Sequence, residues 1–302
     1  MIHGFIVVDK PSGMTSHDVV ARIRRIAGTR KAGHTGTLDP FATGVLPVAV
    51  NDGTKVIPFL DEASKSYLAL VRLGVVTDTL DMTGTVLSQS DPSFITHEMF
   101  SATLPRFTGS ITQTPPMFSA IKQNGQPLYK LARKGIEVER AERRVEIASL
   151  ELLTYDPPFV SLLVTCSRGT YVRTLADDIG RELGCGAALQ ELRRTASGPF
   201  IVGAAVTLHE LESADSILFE RLVITPSEAI GHLPEIQLSD NGLGKVRHGV
   251  VPTGADISSP YPATVCEGEM VRLVHGGRLA AVAAVALQGG AAPRFVLKRV
   301  LL

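Results

Sequence analysis

Few side chains in this sequence are placed for chemistry, and one carboxylate stands out among them. Asp39 lies in GHTGTLDP, residues 33–40, within a stretch carrying glycines at 33, 36 and 44 and prolines at 40 and 47. That density of breakers predicts an ordered loop before Val45 rather than a helix or strand. A carboxylate held in a loop can trap or stabilise an electron-poor carbon, as carboxylates do in glycoside hydrolysis, or add to an electrophilic ring. Two later polar clusters are TDTLD, residues 77–81, with Asp78 and Asp81, and SRGTYVRT, residues 167–174, with Tyr171 and Arg173. Asp39 together with Asp78 or Asp81 would suit a hydrolase with paired carboxylates. Each residue also has an ordinary role: an Asp before Pro caps a turn or a helix, His34 bonds a loop, Tyr67 half-buries in a strand, and Arg173 forms a structural ion pair.

The cofactor motifs are missing. The chain has no GxxxxGK[ST] phosphate loop, no HExxH, no GxSxG elbow and no calcium-binding EF-hand loop, and Gly184-Cys185-Gly186 lacks the third glycine of a dinucleotide site. Its eight histidines are scattered singly. No metal and no cofactor is assigned.

The elements that must hold these residues follow from pattern. Gly4–Val8 reads as a short buried strand stopped at Asp9-Lys10-Pro11. Thr15 with Asp18 forms a capping pattern for a helix that buries Val19, Val20, Ile23 and Ile26 and stops at Gly28. Residues 66–74 and 83–90 read as strands on either side of the threonine-rich turn, and 97–107 as a weaker helix. Strands are expected over 144–155 and 159–166. A helix follows over 170–183, with Thr170 as its expected cap and Val172, Leu175, Ile179 and Leu183 spaced for burial. From about Ile236 onward, short strands alternate with glycines, which suggests a second, small β-rich domain.

Charge is balanced at thirty basic and thirty acidic residues, yet it is segregated. Arg22, Arg24, Arg25, Arg30 and Lys31 come without an acid, whereas residues 206–235 hold six acids against Arg221. Residues 114–144 carry seven Lys or Arg, three Glu and three prolines, and read as a basic insertion on the surface. Three widely spaced cysteines make no disulfide framework and fit a reducing cytoplasm. The longest apolar stretch, Leu279–Leu287, falls short of the roughly 20 residues a membrane helix needs, so no membrane association is expected.

Taken in order, Asp9-Lys10-Pro11, GHTGTLDPFATGVLPV, KSYLALVRLG, TDTLDMTG, QTPPMFSAIKQNGQPLYKLARKG and CSRGTYVRTLADDIG resemble the TruB family of tRNA pseudouridine-55 synthases across about the first two hundred residues. The resemblance implies an α+β pseudouridine-synthase fold on a largely antiparallel mixed sheet over residues 1–235, with 114–144 as a thumb that closes on RNA. Over residues 236–302 it implies a small PUA-like β-barrel that binds RNA. It also implies isomerisation of the T-loop uridine without a cofactor, Asp39 acting on the flipped nucleotide. Arg173 would pair with Asp39 and favour its charged form despite burial. Tyr67 would stack on the base and handle a proton. The implied substrate-binding residues are His34, which enters the space the base vacates, Lys10, Tyr171 and Leu192. The partner is tRNA, met at the T-arm and, through the C-terminal part, at the acceptor stem, by a monomer. Phe118 stands where tyrosine is expected, which removes a hydroxyl contact. The competing readings are an RNA-binding protein without catalysis, which would not need the set Asp39, Tyr67 and Arg173, and the hydrolase with paired carboxylates.

Overall fold

The computed structural model describes residues 2–61, 64–123, 125–259, 266–286 and 294–301. Asn124 of the basic insertion, residues 260–265 and 287–293 of the C-terminal part, and Leu287 of the apolar stretch lie outside the described residues.

The chain enters through β1 (Gly4–Lys10), whose GFIVV core is buried on both faces, and turns at Pro11 into α1 (Ser16–Ile26). Thr15 and Asp18 close a reciprocal capping box at the helix start, and Val19, Val20 and Ile23 face inward. A short strand, β2 (Ala32–His34), leads into the Asp39 loop and then β3 (Thr43–Val50). In β4 (Ser64–Leu73), Lys65, Tyr67, Ala69, Val71 and Leu73 alternate inward. The rest of the sheet is built by β5 (Gly109–Gln113), β6 (Arg143–Asp156), β7 (Phe159–Ser167), β8 (Ala187–Ser197), β9 (Phe200–Ile201) and β10 (Val223–Ile224), with α2 (Val172–Glu182) between β7 and β8.

These strands form one ten-stranded sheet in the order β10-β1-β3-β8-β4-β7-β6-β5, with β2 on β3 and β9 on β8. Every pairing is antiparallel except β3 with β8, which meet only at Arg193↔Thr43 and Arg194↔Gly44. Two half-sheets are thus stitched together at one narrow seam. Gly44 makes the stitch possible: its φ is +97°, and a Cβ there would lie 2.2 Å from the carbonyl oxygen of Arg194. One face of the sheet carries the main core, where Ile6, Val8, Leu46, Tyr67, Val71 and Leu162 pack with Val19 and Ile23 of α1 and Leu175 and Ile179 of α2.

The C-terminal part overturns an expectation. Its strands β11 (Glu235–Gln237), β12 (Met270–His275), β13 (Arg278–Ala286) and β14 (Arg294–Val300) form an open sheet in that order, and among the described residues no sheet closes into a barrel. Closure is how an isolated β-domain hides its edges and second face. Here neighbouring elements cover both faces of the central strand. Leu279 and Val282 of β13 pack on Phe5, Val7, Val45, Ala49 and Phe200 of the large sheet, while Ala281, Ala283 and Val285 meet a small core of Ile236, Val246, Leu273 and Phe295. Glycine-separated strands look the same in sequence whether they close on themselves or lean on another sheet. The α+β class with a mixed, mostly antiparallel sheet is what the structure has.

Candidate active site

The Asp39 loop, residues 35–42, crosses the seam where β3 and β8 meet, and buried cations fasten it from both sides. From β1, the fully buried Lys10 donates from Nζ to the carbonyls of Pro11 (2.8 Å), Met14 (2.7 Å) and Pro40 (3.1 Å), joining the turn before α1 to the residue after Asp39. Burial pushes the Lys10 amine down to about 8, with the charge of Asp39 opposing. From β8, the fully buried Arg194 donates to the carbonyls of Val45 (2.7 Å), Gly36 (3.1 Å) and Thr37 (3.4 Å). Ser16 of α1 adds a reciprocal pair of bonds with the main chain of Leu38. A breaker-rich loop has no internal ladder, so its carbonyls take these side chains as partners instead.

The Asp39 side chain keeps a third of its surface open, and its Oδ2 lies 2.8 Å from Nε of Arg173, close but out of line for a hydrogen bond. Arg173 is the second residue of α2 and is almost fully buried. Its other nitrogens donate to the carbonyls of Thr79 and Phe118, each at 2.9 Å, and Nη1 is 3.5 Å from Asp81 Oδ2. One guanidinium therefore ties the Asp39 loop, the threonine-rich turn and the root of the basic insertion together. Asp81 is itself buried, its Oδ1 accepting from Thr79 Oγ1 (2.9 Å), Thr83 N (3.0 Å) and Thr83 Oγ1 (2.5 Å). Burial raises the Asp39 carboxyl above the usual Asp value; Arg173 opposes that rise, the negative charge of Asp81 adds to it, and Lys10 opposes it. Arg173 favours the charged form without cancelling the cost of desolvation.

Tyr67 sits on β4 directly across from Arg194, and burial pushes its ionisation up, with the Arg194 charge opposing. His34 closes β2 and pairs with Val48 of β3. Its ring meets His17 edge to face with centroids 5.4 Å apart, its buried Nδ1 has no partner, and burial next to His17, Arg194 and Lys65 pushes it down to about 4, so it is neutral at neutral pH. Tyr171 precedes α2 and is half-buried, and burial pushes the ionisation of its phenol up. Leu192 is a buried residue of β8, paired with Ala69 and two positions before Arg194, on the same sheet face as Tyr67.

The structure thus gathers Asp39, Arg173, Lys10, Tyr67 and His34 at the seam, with Leu192 in the wall beneath and Tyr171 at the entrance to α2. Sequence reasoning passed over Arg194 and Gln113 and left Asp81 among structural residues or hydrolase partners. Arg194 did leave a signal: in QELRRTAS it holds an inward position, in phase with Leu192, where a strand places apolar residues. Asp81 is near enough to share Arg173 with Asp39. Three donors on its other oxygen, and almost no exposure, suit a group that braces the guanidinium rather than one that activates water. Among the described residues no group of three or more His, Cys, Asp or Glu is placed to hold a metal ion, and no helix is long and apolar enough to cross a membrane.

Residues 24–172 match the family model for the N-terminal domain of TruB family pseudouridylate synthases, and residues 173–230 match that of the tRNA pseudouridylate synthase B C-terminal domain. Among similar proteins is the tRNA pseudouridine synthase B of Geotalea uraniireducens, 53% identical over 288 residues, which make up 95% of this chain and 93% of the relative. That of Geobacter sulfurreducens is 50% identical over 281 residues, 93% and 92% of the two chains. Among solved structures, a chain of a Cbf5-Nop10-Gar1 complex superposes with a TM-score of 0.74 at 30% identity, covering 99% of this chain and 85% of that one.

Proposed function

The chain belongs to the TruB family of pseudouridylate synthases, and from that membership we infer that it isomerises the T-loop uridine at position 55 of tRNA to pseudouridine. The observation that carries the site assignment is the Asp39–Arg173 pair at the seam of the sheet. With Oδ2 engaged by Arg173, Oδ1 is the oxygen left to meet the substrate, at the electron-poor ribose carbon or on the uracil ring. Both routes need an ionised carboxylate. The ribose–N1 bond breaks, the base turns, and the ribose carbon joins uracil carbon 5, whose proton leaves. No electrons are gained or lost overall, so the residues alone suffice.

The target base must be flipped out of its loop, at a cost of a few kcal/mol. Stacking on Tyr67 returns about 1–3 kcal/mol of this. The Tyr67 hydroxyl, on the residue paired with Arg194 across the sheet, is the candidate group to handle the carbon 5 proton. His34, uncharged and with an unpartnered Nδ1, fills the space the base leaves. Lys10 holds the Asp39 loop, Leu192 forms the apolar floor, and Tyr171 packs the pocket entrance. The catalytic part spans residues 1–235. The insertion 114–144 closes on the T-arm, and the C-terminal part, residues 236–302, with Lys245, Arg247, Arg272, Arg278, Arg294, Lys298 and Arg299, meets the acceptor stem. We assign a cytoplasmic monomer; three cysteines far apart in the sequence, with no disulfide framework, fit a reducing compartment.

The test is tritium release from a T-arm RNA hairpin labelled at uracil carbon 5, for wild type and Asp39→Asn. Release by wild type alone, with equal hairpin binding, is expected. Binding by both without release by either would replace this reading with that of an RNA-binding protein.

A further inference from the structure

The helix that presents Arg173 does not cap itself. The other described helices of six or more residues each open on a Thr, Ser or Asp whose side chain accepts from their own first turn: Thr15, Thr96, Thr207, Asp215 and Ser239. The helix α2 opens on Tyr171 with no side-chain cap, and Thr170, which the sequence offers for that purpose, has its buried hydroxyl unpartnered. A residue far away in the chain takes over. Gln113, almost fully buried at the end of β5, accepts at Oε1 from the Tyr171 N–H (3.0 Å) and donates from Nε2 to the Tyr171 carbonyl (3.3 Å). A single amide group thus engages both main-chain polar groups of the residue that begins α2.

Gln113 is also where the basic insertion departs. It pairs with Arg143, so the chain leaves the sheet at Gln113 and returns opposite it. Just beyond, the Phe118 carbonyl accepts from Arg173. The base of the insertion and the start of α2 therefore form one bonded unit, with Asp39 at its far end. We propose that Gln113 is a positioning residue for the isomerisation: its amide clamp on the Tyr171 main chain fixes the start of α2 and so sets the Arg173 guanidinium against Asp39. This inference rests on the roles proposed above for Asp39 and Arg173.

Displacing a group at a reacting centre by ~1 Å costs on the order of a hundredfold in rate. Gln113→Met keeps the volume and removes both bonds. It is expected to lower kcat for tritium release at least tenfold while KM stays within about threefold, the split expected when a transition-state interaction is lost. The acid limb of its kcat profile should also move to higher pH, because a loosened Arg173 opposes the upward shift of Asp39 less. Gln113→Glu keeps the acceptor for the Tyr171 N–H and should lose less. If the Met variant melts below the assay temperature, the Glu variant decides. Wild-type kcat in a folded variant, or a loss that leaves the acid limb in place, overturns the proposal. Asp39→Asn is assayed alongside: if it still releases tritium, the site assignment itself has failed, whereas wild-type behaviour of the Gln113 variants beside a dead Asp39→Asn removes only this inference.

Discussion

The Asp39 loop and the 114–144 insertion are both irregular, polar and rich in breakers, yet they are built in opposite ways. Around the loop, cations point inward: Lys10, Lys65, Arg173 and Arg194 are buried, and Lys10 and Arg194 tie the loop carbonyls of Pro40, Gly36 and Thr37 to the strands beside it. In the insertion, cations point outward: Lys122, Lys130, Arg133, Lys134, Arg143 and Arg144 are exposed, and among the described residues before Arg143 the regular structure is one pair of two-residue strands and a five-residue helix. A charge inside a protein costs free energy unless its protons are matched, so the loop is over-determined and holds one geometry. A charge in water is free to meet phosphate. The same residue types thus build a rigid chemical centre in one place and a contact surface for RNA in the other.

The largest effect should come from the centre of the over-determined region. Asp39→Asn should lower tritium release by a thousandfold or more, as expected when the reacting group is lost. Its effect on stability should have the opposite sign. Folding raises the Asp39 carboxyl, so the fold disfavours the ionised form, and that cost is absent below the unfolded value and complete above the folded one. Asparagine removes it. Melting temperature at pH 7 should be equal to or above wild type, with the gain vanishing below about pH 3, where the carboxyl is protonated in both states. A variant that is inactive because it melts early would break the comparison.

Next comes Arg194→Met, which removes three bonds from a charged donor and leaves three carbonyls unmatched. Hydrogen bonds to charged groups contribute about 1.5–3 kcal/mol each and do not add, so a net loss of about 3 kcal/mol or more is expected, read from denaturant midpoints. A loss below about 1 kcal/mol would mean that the loop holds itself. In a variant that still folds, the Tyr67 phenol, deprived of the positive charge of Arg194, should ionise at still higher pH in an ultraviolet titration.

A smaller effect separates bracing from chemistry. Asp81 adds negative charge beside Asp39 and shares Arg173 with it. Asp81→Asn should therefore move the acid limb of the rate profile to lower pH, because the repulsion that raises the Asp39 carboxyl is gone. An acid limb that stays in place would show that Asp81 is too well neutralised by its threonine turn to act on Asp39.

How much of this was readable beforehand follows the same division. Strand β4, helix α1 and the loop were legible because alternation, the Thr15–Asp18 box and the breaker count are local signals. The residues Asp39, Tyr67 and Arg173 were legible through motif resemblance, since nothing local distinguishes them from a turn, a strand and a surface pair. The open C-terminal sheet was missed because closure depends on what covers Val282 and Leu279, which is Phe5, Val7 and Val45 from the other end of the chain. Gln113 was missed for a related reason: the cap of α2 was sought within a few residues, at Thr170, and it comes from 58 positions away. Partners distant in sequence leave no periodic trace.

The mildest prediction concerns the outward charges. Lys130, Arg133 and Lys134 lie close together on the insertion, on and just after its short helix, and none makes a salt bridge among the described residues. Replacing all three with alanine should leave melting temperature and single-turnover rate at saturating hairpin near wild type, because no buried bond is lost. Affinity should fall instead, and fall less steeply with salt, the slope of log K against log[salt] dropping by about 1 for each phosphate contact removed. Equal salt slopes for mutant and wild type would mean that the insertion meets RNA through shape or through Arg143 and Arg144 at its base. Its outward charges would then be solvating residues, and the contrast with the inward-facing cations of the Asp39 loop would reduce to one of burial alone.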